Sequence, residues 1–267
     1  DNLRRDLTIG TPDISKHDMI QNGRVSEVIE LDKIDFSYPE TRKMTLSDIN
    51  LKIPVGSSIG IVGSTGSGKT TLVDVLLGLL RPSEGAILVD GKPVSDNGLR
   101  GWQRNLGYVP QEIFLTDTNI AQNIAYGIPA EEVDMAQVER CARMAQVHDF
   151  ISEELPDGYY SLVGERGVRL SGGQRQRIGI ARALYHDPSV MVFDEATSAL
   201  DTVTEQAVMQ AIEGLQNNKT IIIIAHRLST VSNCDNVVVL TGGRIKAQGS
   251  FDELSKNDSQ FKAMVQS

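Results

Sequence analysis

Gly63-Ser-Thr-Gly-Ser-Gly-Lys-Thr70 fits the pattern G-x-x-x-x-G-K-S/T of a phosphate-binding loop. Gly63, Gly66 and Gly68 permit tight turns and close backbone approach, so that successive N–H groups turn inward around phosphate oxygens. Lys69 reaches the β- and γ-phosphates, and the Thr70 hydroxyl is offered to Mg²⁺. The pattern predicts nucleotide contacts along Gly63, Ser64, Thr65, Gly66, Ser67, Gly68, Lys69, Thr70 and Thr71. Ser58–Val62 before it is a short apolar run of strand length. Thr70–Leu80 after it continues as a helix, whose positive N-terminal end adds to the anion site. A chance glycine-rich loop is the alternative, and it explains neither the strand before nor the helix after. Alone, the loop says only that a nucleotide binds.

Outward from this centre, Val28–Phe36 alternates apolar and polar residues as a half-buried strand does. Leu46–Ile53 repeats the pattern after the polar turn Pro39–Lys43, which predicts a small antiparallel sheet ahead of the nucleotide core. Ala86–Asp90 and Leu106–Val109 are further strands. From Asn119 to Glu154 the pattern turns helical, with one apolar face around Val133–Val147. Gly172–His186 reads as a helix, Ser189–Phe193 as a buried strand and Thr202–Leu215 as a helix. Thr220–Ala225 is a strand of consecutive isoleucines, Val237–Leu240 another strand, and Asp258–Val265 a closing helix. Strands alternating with helices predict an α/β fold with a mostly parallel sheet. Residues 1–25 are polar, carry Gly10, Pro12 and Gly23, and read as a linker.

Two further segments carry chemistry. Leu170-Ser-Gly-Gly-Gln174 opens the helix Gly172–His186 and puts Ser171 and the N–H groups of Gly172 and Gly173 at a helix N-terminus, a ready anion site. An ordinary serine N-cap is the plainer alternative. Val190-Met-Val-Phe-Asp194 ends a strand on an aspartate, where ligands bind in open α/β sheets, and there Asp194 holds Mg²⁺ directly or through water. Taken alone, Asp194 and Glu195 are a common acidic strand end.

Together these segments, with the run Arg175-Gln-Arg-Ile-Gly-Ile-Ala-Arg-Ala-Leu184, resemble the ATP-binding cassette (ABC) ATPases over about residues 27–267. The resemblance implies a P-loop NTPase (RecA-like) core, an N-terminal antiparallel β-subdomain and an inserted α-helical subdomain at about 112–185. It implies that residues 1–26 link to an N-terminal membrane domain. It makes Glu195 the general base or the positioner of the attacking water, with Lys69 and His226 acting on the phosphates. Ser171, Gly172, Gly173 and Gln174 cap the γ-phosphate of an ATP bound to a second copy, so that two cassettes sandwich two ATPs head to tail. Tyr38, in Phe36-Ser-Tyr-Pro39, resembles the aromatic that stacks on adenine; a plain strand-end tyrosine is the alternative. Gln111, in Tyr108-Val-Pro-Gln111, resembles the glutamine that joins Mg²⁺ and water to the transporter contact, with Thr70 and Asp194 as the other metal-side residues. Ser198-Ala-Leu-Asp201 resembles the loop that couples the two sites, and Asp201 belongs to it.

The exporter type is indicated by Gly164-Glu-Arg-Gly167, which resembles the segment touching the coupling helices of the membrane domain. Gly101–Ile128 resembles bacterial flippases and exporters of lipid-linked saccharides. The implied function is ATP hydrolysis that drives transport, at the cytoplasmic face of a bacterial inner membrane, by a domain soluble in isolation. His17, His148 and His186 have no motif context and read as solvated or structural.

Composition agrees. The chain has 267 residues, 40% hydrophobic and 23% charged, enough for a sizeable core. A net charge of −9 argues against a general nucleic-acid or anionic-membrane binder. Cys141 and Cys234 lack metal-ligand spacing and read as buried or incidental thiols. No apolar run approaches the roughly 18 residues that a membrane span needs. A chromosome-maintenance ATPase shares the loop, the signature and the acidic strand end. It would need a long heptad-patterned insertion or a basic surface, and neither is visible. A translation cassette usually carries two copies in one chain, and a nucleotide kinase has no use for Leu170–Gln174.

Overall fold

Alternating apolar residues pair where the sequence predicts. In the computed structural model, which describes residues 24–39, 41, 43–197, 200–216, 218–225, 227–258 and 261–262, Val28–Phe36 (β1) and Leu46–Pro54 (β2) are antiparallel. Ile29 faces Ile53 and Leu31 faces Leu51, all four buried. Glu84–Val89 (β4) and Lys92–Pro93 (β5) complete this sheet in the order β2-β1-β4-β5.

The second sheet contains Ser58–Val62 (β3), Leu106–Val109 (β6), Val190–Asp194 (β7), Thr220–Ala225 (β8), Asn236–Thr241 (β9) and Arg244–Gly249 (β10). Its order is β10-β9-β3-β8-β7-β6, parallel throughout except for the antiparallel edge strand β10. The isoleucine run of β8 follows from burial on both faces, which removes any reason to alternate. Ile222 and Ile224 face one cluster, shared with the first sheet and with Lys69–Leu76 (α1). Ile221 and Ile223 face the other, shared with Ile120–Ile124 (α3), Met135–Met144 (α4), Gly172–Leu184 (α5) and Thr202–Glu213 (α6). Leu99–Arg104 (α2) follows β5, and Phe251–Asn257 (α7) follows β10.

Two expectations are corrected, and two elements were not expected. α1 stops at Leu76, not Leu80, because Gly78 takes a left-handed φ of 68°. The Gly78 N–H then donates to Val75 O and the Leu79 N–H to Asp74 O, a Schellman closure that satisfies the terminal carbonyls. The helical stretch expected over Asn119–Glu154 is broken into α3, a single turn at Ala130–Glu132, α4 and a π-helical turn at Phe150–Glu154, interrupted by Gly127 and Pro129. β10 was not expected; its residues are exposed or half-buried at an edge, so their pattern is weak. α7 was not expected and precedes the expected helix Asp258–Val265. Of that span Phe261 and Lys262 are helical, the Phe261 N–H donating to Asp258 Oδ1 at 2.7 Å and the Lys262 N–H to Asp258 O at 3.0 Å. Residues 259–260 and 263–265 lie outside the described residues, as do residues 1–23 of the expected linker.

Cys141 and Cys234 are both buried, and burial pushes their thiols up to about 11 and about 12. No helix among the described residues is long and apolar enough to cross a membrane. Gly78→Ala should destabilise the fold by about 1–2 kcal/mol, the cost of a left-handed alanine, with the added Cβ 2.3 Å from Leu99 Cδ1. Urea unfolding reads this as a lower midpoint at unchanged slope.

Candidate functional site

Parallel strands release their following loops at one edge, and the register here aligns four of them. Val62 pairs with Ala225, Ile224 with Asp194 and Phe193 with Val109. Gly63–Thr70, Pro110–Gln111 and Glu195–Thr197 therefore leave from the same edge of the sheet, the edge at which β8 ends on Ala225.

The first loop is shaped by contacts only glycine allows. A Cβ on Gly63 would stand 2.2 Å from Leu240 O, while one on Gly66 would meet nothing within 4 Å. Ser67 N–H donates to Ser64 O at 3.1 Å, and Gly243 N–H donates to Ser67 O at 2.9 Å, which tie the loop to itself and to the turn after β9. Gly68, at φ 105°, stands at the N-cap of α1 and provides no side-chain cap. α3, α4, α5, α6 and α7 are capped by Asn, Asp or Ser, whereas α1 and the short α2 start on a glycine without a side-chain cap; the first N–H groups of α1 lack intrahelical acceptors. Lys69 is 6% exposed, and its Nζ donates to Gly63 O at 2.8 Å and Ser64 O at 3.3 Å. Burial lowers the ammonium below its ordinary value, while the charges of Glu195 and Asp194 act the other way. A buried cation, unspent N–H groups and a buried Ser67 Oγ with no hydrogen-bond partner suit a polyphosphate.

Asp194 and Glu195 close the other side. Burial raises the Asp194 carboxyl above the usual range, and the nearby Glu195 and Asp74 add to the rise. The Tyr108 hydroxyl donates to Asp194 Oδ2 at 3.1 Å and opposes it. Burial and the Asp194 charge push the Tyr108 phenol upward. Glu195 adopts φ 49°, left-handed for a non-glycine residue, and its N–H donates to Ile224 O at 2.9 Å. No group of three or more His, Cys, Asp or Glu among the described residues could hold a metal alone. The donor set at this edge is instead Asp194, the exposed Thr70 and the exposed Gln111. That suits Mg²⁺, which is held by one or two carboxylates with substrate phosphates and water supplying the rest. Tyr38 lies beside α1, its hydroxyl 3.2 Å from Thr71 Oγ1 and its exposed ring packed edge-on against Phe36.

Ser171 does what the plainer alternative says. Its Oγ accepts from Gln174 N–H at 3.2 Å, and Gln174 Oε1 accepts from Ser171 N–H at 2.7 Å, a complete capping box. Gly173 lies hard against α6, where a Cβ would stand 2.0 Å from Thr204 Cγ2, and a Cβ on Gly172 would stand 3.1 Å from Leu200. Asp201 caps α6 through Thr204 N–H at 3.1 Å. Among the described residues no hydrogen bond joins Ser171–Gln174 to Gly63–Thr70. The arginines that follow are spent on carbonyls: Arg175 on Leu170, Arg177 on Gln146, Arg182 on Phe114 and Asn123.

His226, Ser198 and Ala199 lie outside the described residues. His148 is structural, its Nδ1 2.7 Å from Tyr159 OH, and His186 packs edge-on against Tyr185. Sequence reasoning missed Tyr108 and Glu205. Tyr108 is the exposed aromatic in the alternation of β6, directly before the segment of Gln111, a signal that could have found it.

The ABC transporter family model matches residues 46–198. An ATP-dependent lipid A-core flippase of Alkalilimnicola ehrlichii is 42% identical over 241 residues, 90% of this chain and 41% of that protein. The flippase of the same name from Chromobacterium violaceum is 44% identical over 226 residues, 85% of this chain and 38% of that protein. The solved structure of a bacterial Atm1-family ABC exporter with ATP bound aligns with a TM-score of 0.81 at 38% identity, over 91% of this chain and 42% of that one. The chain thus spans about two fifths of the curated relatives it matches.

Because Asp194 is raised in the folded protein, its ionised form opposes folding above that raised value, and the penalty fades as pH falls through it toward the ordinary carboxylate range. Asp194→Asn should therefore make the nucleotide-free protein more stable at about pH 8, with the gain shrinking on acidification. Denaturant titrations of both proteins across pH check this; an equal or lower stability of Asp194→Asn at high pH contradicts it.

Proposed function

Because the chain belongs to the ABC transporter family, as its ATPase cassette, we propose that it binds MgATP at the edge formed by β3, β6, β7 and β8 and powers an exporter or flippase. The reading is carried by one observation: a buried lysine, an uncapped helix start and a carboxylate pair converge at the carboxyl ends of parallel strands. Lys69 and the N–H groups at the start of α1 offset the phosphate charge. Tyr38 stacks on adenine. Thr70, Gln111 and Asp194 hold Mg²⁺, which when bound neutralises charge developing on the transferred phosphoryl group. Glu195 orients the attacking water and accepts its proton as the γ-phosphorus–oxygen bond to the β-phosphate breaks. His226 contacts the γ-phosphate.

The domain reading is residues 1–26 as a linker and 27–267 as the cassette, with a helical subdomain at about 112–185. The chain's partners are a second copy and a membrane domain. Ser171–Gln174 serve the second copy, head to tail: Ser171 and Gln174 bond to each other at the start of α5, and among the described residues neither bonds to Gly63–Thr70. Asp201, which caps α6, belongs to the loop that couples the two sites. The cargo class, suggested by the flippase names of the relatives, is a lipid-linked saccharide. The place is the cytoplasmic face of a bacterial inner membrane.

Lys69→Ala should lose most ATP affinity in a fluorescent-nucleotide titration; unchanged affinity removes the loop from the account. Glu195→Gln should keep binding while turnover falls at least about 10²-fold, the scale for loss of a general base. With saturating MgATP, light scattering of Glu195→Gln should show the mass doubling into a closed two-fold dimer. Adding Ser171→Arg should abolish the doubling but spare binding; since that change also removes the α5 cap, worth about 1 kcal/mol, a melting curve must show the fold intact.

A further inference from the structure

We propose that Glu205 is a positioning residue for hydrolysis, one that ties the segment after β7 to the segment after β8; this rests on the ATPase reading above. Glu205 stands one turn into α6, its side chain 14% exposed. Its Oε1 accepts from Thr197 Oγ1 at 3.2 Å, and its Oε2 accepts from Arg227 Nη1 at 2.7 Å. Thr197, itself buried, lies two residues beyond Glu195, and Arg227 directly follows His226. One carboxylate therefore holds both strand exits that carry the proposed water-positioning and γ-phosphate-contacting residues.

The cavity between those exits shows why a tie is needed. Glu195, Thr197, Ile224 and Arg227 are among the residues lining a space of about 100 Å³, so the wall beside Glu195 is not fixed by close packing alone. Glu195 also occupies a left-handed backbone conformation, which persists only where its surroundings over-determine it. α6 is a firm base for the tie, since Asp201 caps its start through both the N–H and the hydroxyl of Thr204. A partly buried carboxylate bonded at both oxygens to different segments holds their separation, and removing it leaves Arg227 without that partner. Glu205 touches no reacting atom, so its effect belongs in turnover and not in nucleotide affinity.

The test compares Glu205→Ala, Arg227→Met and the double variant with the wild type in steady-state ATP hydrolysis and fluorescent-ATP binding. Misplacement of a positioned group by about 1 Å can cost about 10²-fold, so kcat should fall about tenfold or more in each single variant, with KM and affinity within about twofold. The double variant should be no slower than the slower single, because both remove one interaction. Glu205→Gln, which keeps the volume and one acceptor, should recover part of the rate. If Glu205→Ala does not fold, Glu205→Gln takes its place in the same cycle. Wild-type kcat in the Glu205 variants, or a double variant whose loss is the product of the two single losses, overturns the proposal. A wild type that hydrolyses no ATP defeats the ATPase reading and this inference with it, whereas normal wild-type turnover with unaffected Glu205 variants defeats this inference alone.

Discussion

A buried ammonium group whose hydrogen bonds go to carbonyl oxygens is the constraint on which the site depends. Lys69 is held by Gly63 and Ser64 inside a loop whose glycines let the backbone close round it. Desolvation disfavours the charged lysine, and the carboxylates of Asp194 and Glu195 restore part of what burial removes. The same burial opposes the Asp194 charge. Each charge is costly alone and tolerable beside the other, so the site is a balance that an anion with its own cation would shift. A polyphosphate gives Lys69 the counter-charge that carbonyl dipoles only approximate, and a divalent cation does the same for Asp194.

The sheet makes this balance possible. Burial on both faces fixes β3, β7 and β8 in register, and a slip of one residue would turn the inward isoleucines of one layer into the other. Because the strands are parallel, their fixed register delivers the loop, the carboxylates and the residues after β8 to one edge. The helical layer holds the second set of groups by a different device. Gly173 presses on Thr204, and the arginines of α5 bind carbonyls of the surrounding segments, so the Ser171 end of α5 is placed by packing and not by contact with the loop.

Much of this was legible because the relevant residues are constrained locally. Thr220–Ala225 and Ser58–Val62 could only be doubly buried strands, and the glycines of the loop announce a backbone that must approach something closely. Gly78 is equally legible as a helix stop, yet the leucines on both sides of it make the helix look longer than it is; Leu79 and Leu80 lie beyond the end of α1. β10 was missed because an edge strand of half-exposed polar residues carries little hydrophobic signal. Tyr108 and Glu205 were missed for another reason. Each acts through a partner far away in the chain, Asp194 for one and Arg227 for the other, and spacing within a motif cannot report such pairs.

The central claim is that Gly63–Thr70 is a triphosphate cradle completed by a second copy of the chain. A structure of Glu195→Gln with MgATP tests it most directly. The account predicts the triphosphate over the start of α1, Lys69 Nζ moved from the Gly63 and Ser64 carbonyls onto phosphate oxygens, and Ser171 of a second copy over the γ-phosphate. Nucleotide bound elsewhere, or bound with Lys69 still on those carbonyls, would contradict it.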